Sequence, residues 1–232
     1  MPENPEIKAL FDVGAHFGYS KTRRHPKMAE YIFGTRNNVE IFDLDKTAAQ
    51  LKEADGFMRS LGEEGKTILL VGTKPAAASH IERAGERLGV PYVAKRWLGG
   101  TITNFKVIGG RLSYLDKLES EERSGGFAKY VKKEKFVKGA ELEKLKRTFK
   151  GIRNLKGAPD ALFIVDPGEE SAAFREAKRK NIQIVALVNS DCNPSGIQYV
   201  IPANDNSSAT IALVLDILAS AYEAGAKVKK NP

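Results

Sequence analysis

The sequence predicts an α/β fold: a parallel, doubly wound sheet flanked by helices, with an antiparallel pair of helices inserted into it. Three observations predict it. Short β-branched or wholly apolar runs alternate with segments of helical periodicity, a rhythm that favours parallel strands joined by crossover helices. In the middle of the chain the rhythm gives way to two apolar patterns with the same 3-4-3-3 spacing. The excess positive charge is concentrated around the second of them.

Taken in order, residues 39–44 (VEIFDL) predict a strand, and Asp45 is placed to cap the helix after it, with Ala48, Leu51, Ala54 and Met58 on one face. Residues 67–71 (TILLV) read as a strand buried on both faces. Thr73 and Pro75 then start a helix that Gly89 stops. Residues 91–94, 161–165 and 182–188 predict further strands, with a helix over about 169–180, and 199–201 adds a short edge. A last helix with an apolar face is expected over 207–223.

The middle differs. Phe105, Ile108, Leu112, Leu115 and Leu118 form one amphipathic stripe, and Leu142, Leu145, Phe149, Ile152 and Leu155 form another. Ser124, Gly125 and Gly126 supply a turn between them. The expected division is an α/β domain over 1–104 and 157–232, with 105–156 as a helical hairpin inserted into it. The alternative is an ordinary helix pair packed on the sheet.

Charge narrows the function. The chain has 232 residues and a net charge of +8. Residues 127–156 hold eleven basic and three acidic side chains, so this segment alone carries +8 and the remainder balances to zero. A concentrated positive field attracts polyanions better than a diffuse one. No apolar run approaches the ~20 residues of a membrane span, and the N-terminal ten residues lack the basic start and apolar stretch of a signal peptide. The single cysteine, Cys192, excludes an internal disulfide framework and suits a reducing cytoplasm.

Catalytic and metal chemistry find little support. Neither the dinucleotide fingerprint nor the phosphate-cradling loop is present; residues 71–74 (VGTK) are only a partial look-alike. His16, His25 and His80 are far apart and have no second cysteine to join them, so no metal and no cofactor is expected. Cys192 lacks an evident base, and Asp43, Asp45 and Asp166 suit helix caps. One enzymatic alternative stays open: residues 72–74 and 166–168 lining a site for a phosphorylated small molecule. So does an interaction scaffold whose hairpin binds an acidic partner.

Three segments suit RNA. The first holds Lys21, Arg23, Arg24, His25, Lys27 and Arg36 near Tyr19, Tyr31 and Phe33. The second holds Lys95, Arg96, Gly99, Gly100, Thr101 and Asn104, where paired glycines permit close approach and Trp97 serves core better than RNA. The third is the basic arm: Lys129, Lys132, Lys133, Lys135, Lys144, Lys146, Arg147, Lys150 and Arg153. Lys74 joins these candidates at its strand end.

Read together, residues 96–105 (RWLGGTITNF), 11–18 (FDVGAHFG), 26–28 (PKM), 31–34 (YIFG), 70–74 (LVGTK), 159–167 (PDALFIVDP) and 201–205 (IPAND) resemble the small-subunit ribosomal protein two family, in the right order and over nearly the whole chain. Tyr19 and the Arg24-His25 pair depart from the family pattern. The resemblance implies a flavodoxin-like sheet with a coiled-coil hairpin of the bacterial type. It implies a cytoplasmic, non-catalytic place in the 30S subunit, bound to 16S rRNA and to other small-subunit proteins, and a role in docking ribosomal protein one. No membrane and no small-molecule substrate is implied.

Overall fold

The computed structural model describes residues 5–230. A short helix, α1 (Pro5–Asp12), precedes β1 (Phe17–Ser20), β2 (Ile32–Arg36) and β3 (Val39–Phe42). These strands form a separate antiparallel sheet in the order β1-β3-β2. The 39–44 segment therefore does not join the parallel sheet, which corrects the sequence reading. The reason is visible in its burial. Glu40 and Phe42 are buried while Val39 and Ile41 are half-buried, the alternation of a sheet covered on one face. Asn37 and Asn38 supply the consecutive positive φ angles, 49° and 62°, that a tight hairpin turn requires.

Next comes α2 (Leu44–Glu64). Its cap is Asp43 rather than Asp45: the Asp43 Oδ1 accepts from the amides of Asp45 at 3.1 Å and Lys46 at 3.5 Å. Asp45 lies inside the first turn, where its charge still favours the helix dipole.

The remaining elements are β4 (Ile68–Val71), α3 (Pro75–Leu88), β5 (Tyr92–Val93), α4 (Phe105–Arg123), α5 (Lys132–Phe149), β6 (Ala161–Val165), α6 (Ser171–Arg179), β7 (Gln183–Val188), β8 (Tyr199–Pro202) and α7 (Ser208–Lys230). The five strands pair in parallel in the order β5-β4-β6-β7-β8. That is the flavodoxin-like order, and its direction reverses between β4 and β6. Helices cover both faces. Ile68, Leu70, Phe163 and Val165 point to the layer with α2, α3 and α7. Leu69, Val71, Leu162 and Ile164 point to the layer with Trp97, α4, α5 and α6. Both faces being dry explains why these strands read as continuous apolar runs.

α7 closes the layer shared with α2 and α3. Ser208–Lys229 has the length and the mean hydropathy, 1.4, of a membrane span. Here its apolar side is core: Ile211, Val214, Leu215 and Leu218 are buried in the layer shared with α2 and α3. The two long helices nearly touch. A Cβ at Gly62 would stand 2.2 Å from the Tyr222 carbonyl oxygen, and one at Gly225 would stand 2.0 Å from that of Arg59. Only glycine permits this approach.

α4 and α5 lie in the connection between β5 and β6. Their repeated spacing is reflected in burial, with Ile108, Leu115, Leu118, Leu142 and Phe149 inside one apolar cluster; α5 stops at Phe149, short of the expected stripe, and Ile152 and Leu155 reach the same cluster from the turns that follow.

Candidate nucleic-acid interface

The 95–104 loop is built around a carboxylate. Glu176 of α6 accepts at Oε1 from the Trp97 indole N–H at 3.0 Å and the Gly100 amide at 2.8 Å. Its Oε2 accepts from the amides of Ile102 and Thr103 at 3.1 and 3.0 Å, and from the Thr103 hydroxyl at 3.0 Å. Burial opposes its ionisation, but the indole and the converging amides outweigh that and hold the carboxyl below its usual range. The backbone donors of this glycine-containing loop therefore face an internal anion. Gly100, at φ 91°, makes the turn that aims them. Thr101 is buried, its hydroxyl donating to the Leu98 carbonyl at 2.7 Å. Trp97 is core. Lys95, Arg96, Gly99 and Asn104 stay on the outside. Sequence reasoning missed Glu176, because no local spacing links it to a loop more than seventy residues away.

The second arm divides into paired and open cations. Lys129 and Lys138 reach Glu121 at 3.0 and 3.4 Å. Lys146 reaches Glu122 at 3.3 Å and Glu143 at 3.1 Å. Arg153 bridges Asp116 at 2.8 Å and Glu119 at 2.6 Å. Lys150 holds Glu82 at 2.6 Å and Glu86 at 2.9 Å, tying the end of α5 to α3. Among the described residues, Lys132, Lys133, Lys135, Lys144 and Arg147 are exposed and form no ion pair. Lys106, Arg111 and Lys117 on α4 are equally open and were not singled out by sequence.

Two of the predicted segments meet. Lys95 and Arg96 line the same cleft as Arg147, Thr148 and Lys150. Gly151 makes the junction possible, since a Cβ there would stand 2.1 Å from the Tyr92 carbonyl oxygen.

The N-terminal segment is more self-satisfied. Arg23 lies 4.2 Å over the Tyr19 ring and pairs with Asp191 at 3.0 Å. Arg24 pairs at 3.4 Å with the buried Glu40. The His25 amide donates to the Ser190 carbonyl at 2.8 Å, and its ring Nδ1 accepts from the Lys27 amide at 3.2 Å. Lys27 donates to the neutral Ser195 hydroxyl at 2.6 Å and forms no ion pair among the described residues. Lys21 and Arg36 are exposed and form no ion pair among the described residues.

Lys74 sits apart from all of these, at the reversal between β4 and β6. Its side chain is 15% exposed, and its Nζ reaches Asp166 at 2.5 Å and Asp205 at 2.9 Å. Burial disfavours the ammonium, yet the two carboxylates hold its pKa above the usual lysine value. Beside it the Thr73 amide donates to the buried Glu170 at 2.5 Å. The crevice where this topology seats a ligand is thus filled by the protein's own carboxylates. Cys192 offers no nucleophile there: burial pushes its thiol up to about 12.

Comparison with known proteins adds a separate line. The family described as ribosomal protein S2 matches residues 10–225. The small ribosomal subunit protein uS2 of Dictyoglomus thermophilum is 43% identical over 225 residues, covering 97% of this chain and 92% of the relative. That of Dictyoglomus turgidum is also 43% identical over the same span and coverage.

Proposed function

The chain belongs to the ribosomal protein S2 family, and from that premise we propose that it is a structural constituent of the small ribosomal subunit that grips 16S rRNA by phosphate contacts. It acts by binding and not by catalysis. In this reading 1–104 with 157–232 form a rigid α/β mount, and 105–156 form an inserted coiled-coil hairpin. The paired side chains support antiparallel arms: Asp116 and Glu119 meet Arg153, while Glu122 meets Lys146 and Glu121 meets Lys138.

The observation that carries the proposal is the split between paired and open cations. A lysine already neutralised by a carboxylate gains little from a phosphate. Lys95, Arg96, Lys132, Lys133, Lys135, Lys144 and Arg147 form no ion pair among the described residues, and Lys95 and Arg96 share a cleft with Arg147. Lys21, Lys27 and Arg36 extend the reading to the N-terminal segment. Docking of ribosomal protein one and contact with other small-subunit proteins belong to the same proposal and rest on family membership.

Titrating 16S rRNA binding against salt tests it. Each phosphate contact releases counterions, and each lost contact should lower the log–log salt slope by about one unit. Lys144→Glu with Arg147→Glu should weaken binding and flatten the slope. A wild-type affinity indifferent to salt would remove the electrostatic grip.

A further inference from the structure

α5 has a second stripe, facing away from the protein. Its inner side is set by the buried Leu142 and Phe149. At about 100° per residue, Lys133, Phe136, Val137, Ala140, Lys144 and Arg147 gather on the opposite side, with Lys132 at its edge one turn before Phe136. Phe136 is 77% exposed and Val137 56%. An aromatic ring left in water on a helix that already has its apolar face buried does nothing for the fold.

The setting of that ring is specific. Lys132 and Lys133 lie on its N-terminal side, and Lys144 and Arg147 on its C-terminal side. Lys133 and Lys144 are separated by about 16 Å along the axis. None of the four forms an ion pair among the described residues. Nearer the inner side, Lys138 is neutralised by Glu121 and Lys146 by Glu122 and Glu143, while Lys135 in the first turn stays unpaired among the described residues. The outer stripe is therefore a ring between two unsatisfied positive pairs.

We propose that this face binds an unpaired stretch of RNA, with Phe136 stacked on a base and the two cation pairs holding flanking phosphates. The inference rests on the RNA-binding reading above and adds that the bound segment is single-stranded. Charge complementarity selects a polyanion, because an apolar protein surface would leave four cations facing nothing. The ring selects an unpaired nucleotide, because the faces of bases in an A-form duplex are hidden in the stack. Each base on an aromatic platform offers a π-face whatever its identity, so the contact should tolerate sequence.

The test uses the full chain and two labelled RNAs, a stem-loop with unpaired adenines in the loop and the same stem as a blunt duplex. Wild type should prefer the stem-loop. Phe136→Ala should weaken stem-loop binding on the order of ten-fold, leaving duplex binding and the salt slope unchanged. Phe136→Tyr should restore affinity and Phe136→Leu should not. Circular dichroism should show unchanged helix content, since the side chain makes no core contact. Equal wild-type affinity for both RNAs, wild-type behaviour of Phe136→Ala, or rescue by Leu as complete as by Tyr would overturn the stacking contact. The underlying RNA reading fails by a different result: reversal of Lys144 and Arg147 that leaves affinity and salt slope for both RNAs untouched.

Discussion

At Glu176 one carboxylate accepts from the indole of Trp97 and from the backbone of Gly100, Ile102 and Thr103. It fixes the path of the loop that carries Lys95 and Arg96. Glu176→Ala should destabilise the chain by about 2–4 kcal/mol, because several buried donors lose their acceptor together. A red-shifted Trp97 emission with a lower denaturation midpoint would record it. An unchanged midpoint would mean that water replaces the carboxylate.

His16 allows a test by pH. Its ring is stacked against Phe11 at 4.5 Å and tilted against Phe17 at 4.0 Å, and burial holds its pKa below the usual value of 6.5. A depressed pKa means that the unfolded chain binds the proton more readily. The stability contributed by the neutral ring is therefore complete above pH 6.5 and is lost as pH falls through the lower folded value. His16→Gln should reduce the loss of stability on acidification from pH 7 in thermal melts. His80, also depressed by burial, keeps its own share.

Among the elements, the ends of α5 behave differently from its middle. Lys150 links α5 to Glu82 and Glu86 of α3, so Lys150→Glu should lower the melting temperature through repulsion. Lys144→Glu should leave it unchanged, because Lys144 has no such partner among the described residues. Equal melting temperatures would erase the division between cations that hold the fold and cations that face outward. The α2–α7 crossing makes a stronger demand. Gly225→Ala places a methyl against the Arg59 carbonyl and should cost about 2–3 kcal/mol in chemical denaturation.

Legibility also varied by element. The parallel strands are plain because both their faces are dry, and the 3-4-3-3 stripes are plain because α4 and α5 each bury one side, although Ile152 and Leu155 continue the second stripe beyond the end of α5. The β1-β3-β2 sheet is not. β1 and β2 are short and mixed in character, and the Asn37-Asn38 turn lacks the glycine of the usual Asn-Gly or Asp-Gly hairpin signal. α1, with only Leu10 fully buried, has too little periodicity to announce itself.

For the whole molecule, the charge count locates a basic segment but does not say which of its cations are left unpaired. Its local excess of +8 includes Lys129, Lys138, Lys146, Lys150 and Arg153, which are answered by carboxylates of α3, α4 and α5. Apart from the i,i+3 pair of Lys146 with Glu143, those partners are set by tertiary packing and cannot be read from the arm alone. The same holds at the sheet reversal, where Lys74 looked free beside a helix start and is in fact clasped by Asp166 and Asp205. What remains outward, among the described residues, is a smaller set of unpaired cations, the set on which the proposed phosphate contacts rest.

The most direct measurement follows tagged chain through a sedimentation gradient of cell extract, with and without nuclease. Wild type should travel with small subunits and be released when their RNA is digested. The variant with Lys132, Lys133, Lys144 and Arg147 all changed to Glu should fold normally yet stay largely at the top of the gradient. If that variant sediments with small subunits as fully as wild type, the open cations do not hold the protein in place.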